Sequence, residues 1–456
     1  MQRCAVDRCR LYIYPVKIIA MKNILLTWFF CTSFSAVFSQ TENQTIITTD
    51  IDHFWEAYDK IITIKDSAAQ YSYLNSLFLT KGSPGLKSIM EVRDYTAKSY
   101  LDAINSYPLF WKSIRNNTLK TKDLADSIAI AVQQIKKIYP NLRPAQIYFT
   151  IGALRTGGTT LKDRILIGSE IAMADKNTIT TEFPQTFAHL SPHFKSNPID
   201  QVVFTNIHEY VHTQQKTTIA STLLGQCVLE GAAEFVAVLS TGKESTTPSV
   251  KYGEAHETQV RDKFATQLYN PFNGFWLYTN AANEFNQRDM GYYVGYAICQ
   301  KYYNGSKDKQ QAIIDMIELD YDSETALTSF VEKSGYFKQG LTTIKASYEK
   351  GRPTVSSVKP FINRSKEVNP SLTELTVTFS ENMDKRYRNF EYGPLGEPNL
   401  LKITAFKSFS EDGKSATFEV EVQPGKTYQI LVGPGFRSFQ GISLQPYLLE
   451  FSTSVH

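Results

Sequence analysis

The sequence predicts an α+β protein, mainly helical up to about residue 350 and β-rich beyond it. Three observations carry this. Apolar residues recur at helical spacing from about Thr48 to Tyr139 and again from Ile199 to Leu239. Two strand-like runs, 146–151 and 164–168, separate those helical stretches. After Gly351 the chain breaks into short β runs punctuated by Gly, Pro, Asn and Asp. At 456 residues there is room for two or three domains, each with its own core. The boundaries read as a leader over 1–39, a helical region with the chemistry-bearing segment over 40–350, and a β domain over 351–456.

The first 39 residues read as an export signal behind an extra leader, with Met21 as the expected true start. Met21-Lys22-Asn23 forms a short basic segment, Ile24 to Phe34 an apolar one, and Val37-Phe38-Ser39 a cleavage region before Gln40. Residues 24–38 are too short for a membrane span, so none is expected in the mature chain. Cys31 follows Trp28-Phe29-Phe30, which is unlike a lipid-attachment sequence. The expected location is therefore periplasmic, extracellular or at the cell surface. Cys4, Cys9 and Cys31 leave with the leader, and Cys227 and Cys299 remain, either paired or as two buried thiols. The chain has 48 basic and 45 acidic residues, five basic and one acidic of them within 1–39, leaving 43 against 44. Nothing in that balance suggests a nucleic-acid-binding face, and no nucleic-acid partner is expected.

In the N-terminal helical region, Ile51, Phe54, Trp55 and Tyr58 form one stripe. Leu124, Ile128, Ile130, Val132, Ile135 and Ile138 form another. The strand runs follow, joined by the Gly-rich link Thr156-Gly157-Gly158-Thr159. Asn197 and Pro198 are placed to start the next helix, with Ile199, Val202, Val203, Ile207 and Val211 as its buried stripe.

On that helix lies H-E-Y-V-H. His208 and His212 stand one turn apart on one face, so both imidazoles can reach a single ion, with Glu209 beside its open side. A zinc ion held by two imidazoles needs a third protein ligand and keeps one position for water. Glu230, 18 residues after His212, can return on a second helix, Ile219 to Leu239, that also carries Glu234 four residues on. Two carboxylates on an apolar helix demand charged partners, and a metal ion and a ligand imidazole supply them. Glu230 is read as the third ligand and Glu234 as the residue orienting a histidine, with the reverse assignment left open. The expected cofactor is one Zn2+ per chain, and the expected chemistry is hydrolysis with Glu209 as general base.

H-E-Y-V-H followed by L-E-G-A-A-E-F-V resembles the gluzincin metallopeptidases, in which HExxH is completed by a downstream glutamate. It is similar to M1-like aminopeptidases and to predicted zinc-dependent proteases of the DUF2268 type. The resemblance implies a thermolysin-like zincin catalytic lobe and puts Glu230 in the ligand slot. Leu229 departs from the asparagine of the aminopeptidase pattern. The resemblance also implies a tyrosine that stabilises the tetrahedral intermediate from a Y-x-x-G stretch. Tyr292 with Gly295 matches it, and Tyr293 is the alternative. The glycine-methionine-glutamate-asparagine motif by which M1 enzymes recognise a substrate's free N-terminus is absent, which puts aminopeptidase specificity in doubt. Glu170 and Glu182 are candidates to replace it. His189, His193 and His256 are expected on the surface or in loops.

In the last hundred residues, Leu372–Phe379, Ala416–Val422 and Tyr428–Val432 are the clearest strands, in the rhythm of a β-sandwich. V-T-F-S-E-N-M-D and L-E-F-S-T-S resemble bacterial Ig-like domains of the SbsA type, which implies spacing or cell-surface attachment. Two functions follow from the whole. One is an exported zinc metallopeptidase acting on peptide or protein. The other is a non-catalytic cell-envelope binding protein that keeps the zincin fold.

Overall fold

A computed structural model describes residues 46–245, 247–279 and 282–456. The expected leader and export signal lie outside the described residues. The chain from Gln44 onward forms one compact unit that mixes helices with several sheets.

Six α-helices among the described residues occupy Thr49 to Ile138, interrupted by a π-helical segment at Leu74–Leu79. Ile51, Phe54, Trp55 and Tyr58 all face the core. The second stripe is narrower than its periodicity suggested. Ile128 and Ile135 are buried, but Ile130 is 63% exposed, because it lies on the opposite side of its helix from them.

Four strands follow as one sheet: β1 (Ile46–Ile47), β2 (Gln146–Thr150), β3 (Gly158–Leu161) and β4 (Arg164–Gly168), in the order β1-β2-β4-β3. β2 and β4 run parallel, and β3 pairs antiparallel with β4 as the outer strand. The stretch expected as a Gly-rich link thus contributes β3. Its glycine and threonines gave no alternating apolar signal, and β4 supplies the hydrogen bonds that make it a strand.

Three helices carry the candidate site residues. The first, here the histidine helix, is Val202–His212, preceded by a 3-10 turn at Pro198–Gln201. Asn197 does not cap it. Its backbone is left-handed (φ 53°) and its side-chain oxygen accepts the Lys176 N–H instead. The glutamate helix runs Leu223–Thr241, with the Thr222 hydroxyl accepting the Gly225 N–H at its start. It therefore begins four residues after Ile219, which is left in the connecting turn and 77% exposed. By length and composition it could cross a membrane, yet it is buried inside the protein. The tyrosine helix is Met290–Gly305, and it packs along the glutamate helix.

The C-terminal strands are β5 (Val355–Lys359), β6 (Glu374–Phe379), β7 (Phe390–Glu391), β8 (Lys402–Phe409), β9 (Ser415–Glu421), β10 (Thr427–Val432) and β11 (Tyr447–Ser452). They form a four-stranded sheet, β5-β6-β9-β8, and a three-stranded one, β11-β10-β7. Side chains from both sheets, including Leu375, Phe418, Ile430 and Leu449, share one hydrophobic cluster separate from that of the helices. A loop of this β region is fastened to the helical part. The Arg437 guanidinium lies 3.5 Å from the Phe272 ring centre and 3.9 Å from that of Tyr387. Gln267 donates to the Gln440 carbonyl and accepts from the Trp276 indole, each at 2.8 Å. The Trp276 carbonyl in turn accepts the Gly291 N–H at 2.8 Å, at the start of the tyrosine helix. One line of hydrogen bonds thus joins the β region to the helix that carries Tyr292.

Candidate metal centre

His208, His212 and Glu230 converge, all buried. The two Nε2 atoms are 3.0 Å apart, and each is 3.3 Å from Glu230 Oε2. Ligands about 2.0–2.1 Å from a tetrahedral zinc ion stand roughly 3.3–3.4 Å from one another, so the three atoms fit three corners of such a site. Two imidazole nitrogens and one carboxylate oxygen are also the donor set that zinc accepts.

Each ligand is held from behind. His208 Nδ1 lies 2.9 Å from Glu234 Oε2, and the other Glu234 oxygen accepts from the Ser245 and Thr247 hydroxyls. His212 Nδ1 lies 2.7 Å from Gln215 Oε1, while the Gln215 amide donates to the Leu229 carbonyl and the Tyr321 hydroxyl. Both rings thereby turn Nε2 inward, the orientation that outer partners impose on metal-binding histidines. Glu230 Oε1 accepts from the Tyr278 hydroxyl at 2.5 Å and from Gln226 Nε2 at 3.2 Å.

The charges are mutually dependent. Burial pushes the Glu230 carboxyl up, but the His212 and His208 imidazoles outweigh it and hold it well below the usual range. Burial pushes the His208 imidazole down, and the Glu230 and Glu234 carboxylates overcome that, raising it to about 10. His212 is also raised, by Glu230 against the same desolvation. In the metal-free chain, protons offset the carboxylate charge that a cation would otherwise neutralise.

Glu209 is half-buried, and desolvation raises its carboxyl pKa, the direction that suits a general base. It faces β3. A Cβ placed on Gly158 would lie 3.2 Å from Glu209 Oε1, so the outer strand runs directly beside this carboxylate. Of the tyrosines at 292, 293 and 296, Tyr292 is the one whose ring lies along His208, with centres 6.1 Å apart and planes 24° apart. Tyr293 packs on Gly253, and Tyr296 packs on Phe235 with its hydroxyl on Gln300. Burial, then the charge of Glu230, raises the Tyr292 hydroxyl well above its ordinary pKa, so it stays a proton donor.

Other candidates stand elsewhere. Glu170 is fully buried, accepting the Gly152 and Leu154 N–H groups, and desolvation pushes it up to about 7. Glu182 accepts the Leu109 and Phe110 N–H groups at the start of a helix. Both carboxylates thus hold backbone amides, and neither is part of the His208, His212 and Glu230 cluster. His189, His193 and His256 are exposed, the last stacked on Tyr252. Cys227 and Cys299 are separate buried thiols. Cys227 lies against Gly291 and Cys299 near the Val228 carbonyl, at turns of the tyrosine helix eight residues apart.

Sequence reasoning missed Gln215, Gln226 and Tyr278. The first two carried a signal: Gln226 lies four residues before Glu230 on the same helix, and Gln215 three after His212, just beyond its helix. Tyr278 carried none, being 48 residues from Glu230 in an irregular loop.

A buried cluster of two histidines and a glutamate is a donor set that could hold a zinc ion. One comparison points the same way. Residues 186–323, which hold all of these side chains, match the family described as "Predicted Zn-dependent protease (DUF2268)". No curated protein matches the chain. Among solved structures, the crystal structure of the S-layer protein rSbsC(31-844) aligns at 12% identity and a TM-score of 0.17. The alignment covers 89% of this chain and 45% of that one, so the chain spans less than half of it.

Proposed function

We propose that the chain is an exported zinc-dependent metallopeptidase of the gluzincin type, hydrolysing peptide bonds with Glu209 as general base. One observation carries the reading. His208 Nε2, His212 Nε2 and Glu230 Oε2 meet at tetrahedral spacing, with Glu209 on the same helix and no fourth protein ligand among the described residues. A closed structural zinc site would use four.

A bound zinc ion would polarise the peptide carbonyl and acidify a water molecule. Glu209 is placed to take the proton of a water attacking the carbonyl carbon and to give it to the leaving amine. The Tyr292 hydroxyl donates to the carbonyl oxygen as it gains negative charge. Glu234 and Gln215 keep the imidazoles oriented throughout. β3 is the outer strand of its sheet and runs beside Glu209, so an extended peptide can pair with it and present its carbonyl to the site.

The sheet, the histidine helix and the glutamate helix are read as a thermolysin-like lobe, and the two C-terminal sheets as an Ig-like β-sandwich that spaces or attaches the enzyme at the cell surface. The test combines zinc content with cleavage of a peptide library by the wild type and by Glu209→Gln. Zinc near one per chain and cleavage that Glu209→Gln abolishes support the reading. Zinc bound with no cleavage by either protein replaces it with a binding protein of the same fold.

A further inference from the structure

We infer that Tyr278 is a positioning residue for Glu230: it restricts that carboxylate to one free oxygen and thereby sets the geometry and affinity of the metal site. This rests on the reading of Glu230 as a ligand.

Tyr278 is 54% exposed, yet its hydroxyl ends on a carboxylate that is 6% exposed. The direction of the hydrogen bond is fixed by its neighbour. Gln226 Oε1 accepts the Ala220 N–H at 2.7 Å, which turns Gln226 Nε2 toward the phenol oxygen, 2.8 Å away. The phenol oxygen therefore accepts from Gln226, and its single proton goes to Glu230 Oε1. A hydroxyl bonded to a carboxylate at this length is among the stronger hydrogen bonds in proteins. With Oε1 engaged twice, Oε2 alone is left toward the two imidazoles. A carboxylate without that restraint can rotate or bind through both oxygens, adding a fifth position to the coordination.

The backbone is built to hold the phenol there. Tyr278 adopts a left-handed conformation (φ 61°), which is strained for a non-glycine residue and recurs at functional sites. Its N–H donates to Asp289 Oδ1 at 2.7 Å, and Asp289 immediately precedes the tyrosine helix. Trp276 and Leu277, just before it, are buried. The loop is thus anchored just before Tyr278 and at its own backbone N–H.

The test compares wild type, Tyr278→Phe, Gln226→Met and Glu230→Gln, each confirmed folded by circular dichroism. Zinc affinity is measured by chelator competition, and coordination by the visible absorption of the Co2+-substituted protein. Tyr278→Phe is expected to weaken zinc binding about 10–100-fold, as for other partners of metal ligands. Its cobalt absorption should also weaken, as a fourth-ligand geometry gives way to five-coordination. Gln226→Met, which frees the phenol to turn, should move the cobalt spectrum in the same direction by less. If Glu230→Gln loses tight zinc binding while Tyr278→Phe and Gln226→Met keep the wild-type affinity and spectrum, the inference about Tyr278 is overturned. If Glu230→Gln itself binds zinc as well as wild type, the ligand reading falls instead.

Discussion

Gly231 and Gly295 touch backbone to backbone. A Cβ on Gly231 would lie 1.9 Å from the Gly295 carbonyl carbon, and one on Gly295 would lie 1.7 Å from the Cys227 carbonyl oxygen. The glutamate and tyrosine helices therefore cross with no side chain between them. The crossing falls one residue after Glu230 and three after Tyr292, so it fixes how these two side chains stand to each other.

Gly295→Ala tests that crossing. In an isolated helix the change would stabilise by about 1 kcal/mol. Here the added methyl has no space, and overpacking of this kind costs about 1–3 kcal/mol or more. Thermal denaturation should show a lower midpoint, and zinc retention should fall with it. A raised midpoint would mean that the helices separate easily and that the contact positions nothing.

Glu209→Gln should bind zinc like wild type and lose turnover by roughly 10²–10⁴-fold, because an amide cannot take the proton. Zinc content and steady-state cleavage of a peptide substrate check both halves. Full activity in this variant would remove Glu209 from the mechanism.

Tyr292→Phe deletes one hydroxyl and leaves the ring stacked on His208. We expect kcat to fall about 10²–10³-fold with little change in KM, as when an oxyanion donor is removed. Tyr293→Phe, on a side chain packed against Gly253, is the control and should stay near wild type. Equal losses in both variants would indicate disturbed packing rather than a lost donor.

Zinc uptake should release protons. The Glu230 and Glu234 carboxylates raise His208 to about 10, so at pH 7 its imidazole carries a proton that the metal must displace. Apparent zinc affinity should therefore rise with pH from neutrality toward about 10, by about tenfold per unit for each proton displaced. Calorimetry in buffers of different ionisation enthalpy counts the protons. The same sign governs the metal-free fold: the His208 contribution to stability is complete below the unfolded value of 6.5 and is lost as pH rises through about 10. A pH-independent affinity between 7 and 9 would contradict this.

Gln267→Ala should reach the site from the β region. It leaves the Trp276 indole N–H without its acceptor, at a cost of about 1–3 kcal/mol, and cuts the line from Gln440 to Gly291. We expect a lower thermal midpoint together with a lower kcat, measured on the full chain. A loss of stability with unchanged kcat would limit the β region to a packing role.

How much of this was legible in the sequence differs by element. Helices and strands with a strong apolar period were legible, as in Phe54 and Trp55 or in β6 and β10, because burial of a face writes itself into spacing. The ligand pair was legible for the same reason: one helical turn separates His208 from His212, so local geometry alone brings their nitrogens together. Helical spacing also put Glu230 and Glu234 on one face but could not rank them. Only the packing of the glutamate helix on the histidine helix gave Oε2 of Glu230 to both Nε2 atoms and Glu234 to His208 Nδ1.

Where a neighbouring segment decides an element or a contact, nothing periodic announces it. β3 is a strand because β4 lies beside it, and Ile130 is on the surface because of the direction its helix faces. Tyr278 reaches Glu230 through a left-handed loop residue, and Gln267 reaches Gln440 across 173 positions. The sequence by itself determined which side chains could meet as metal donors, since side-chain type and helical period are local properties. The tertiary structure decided which tyrosine stands on His208, which oxygen of Glu230 stays free and how the β region meets the site. Those depend on packing between segments whose order along the chain does not encode their distance in space.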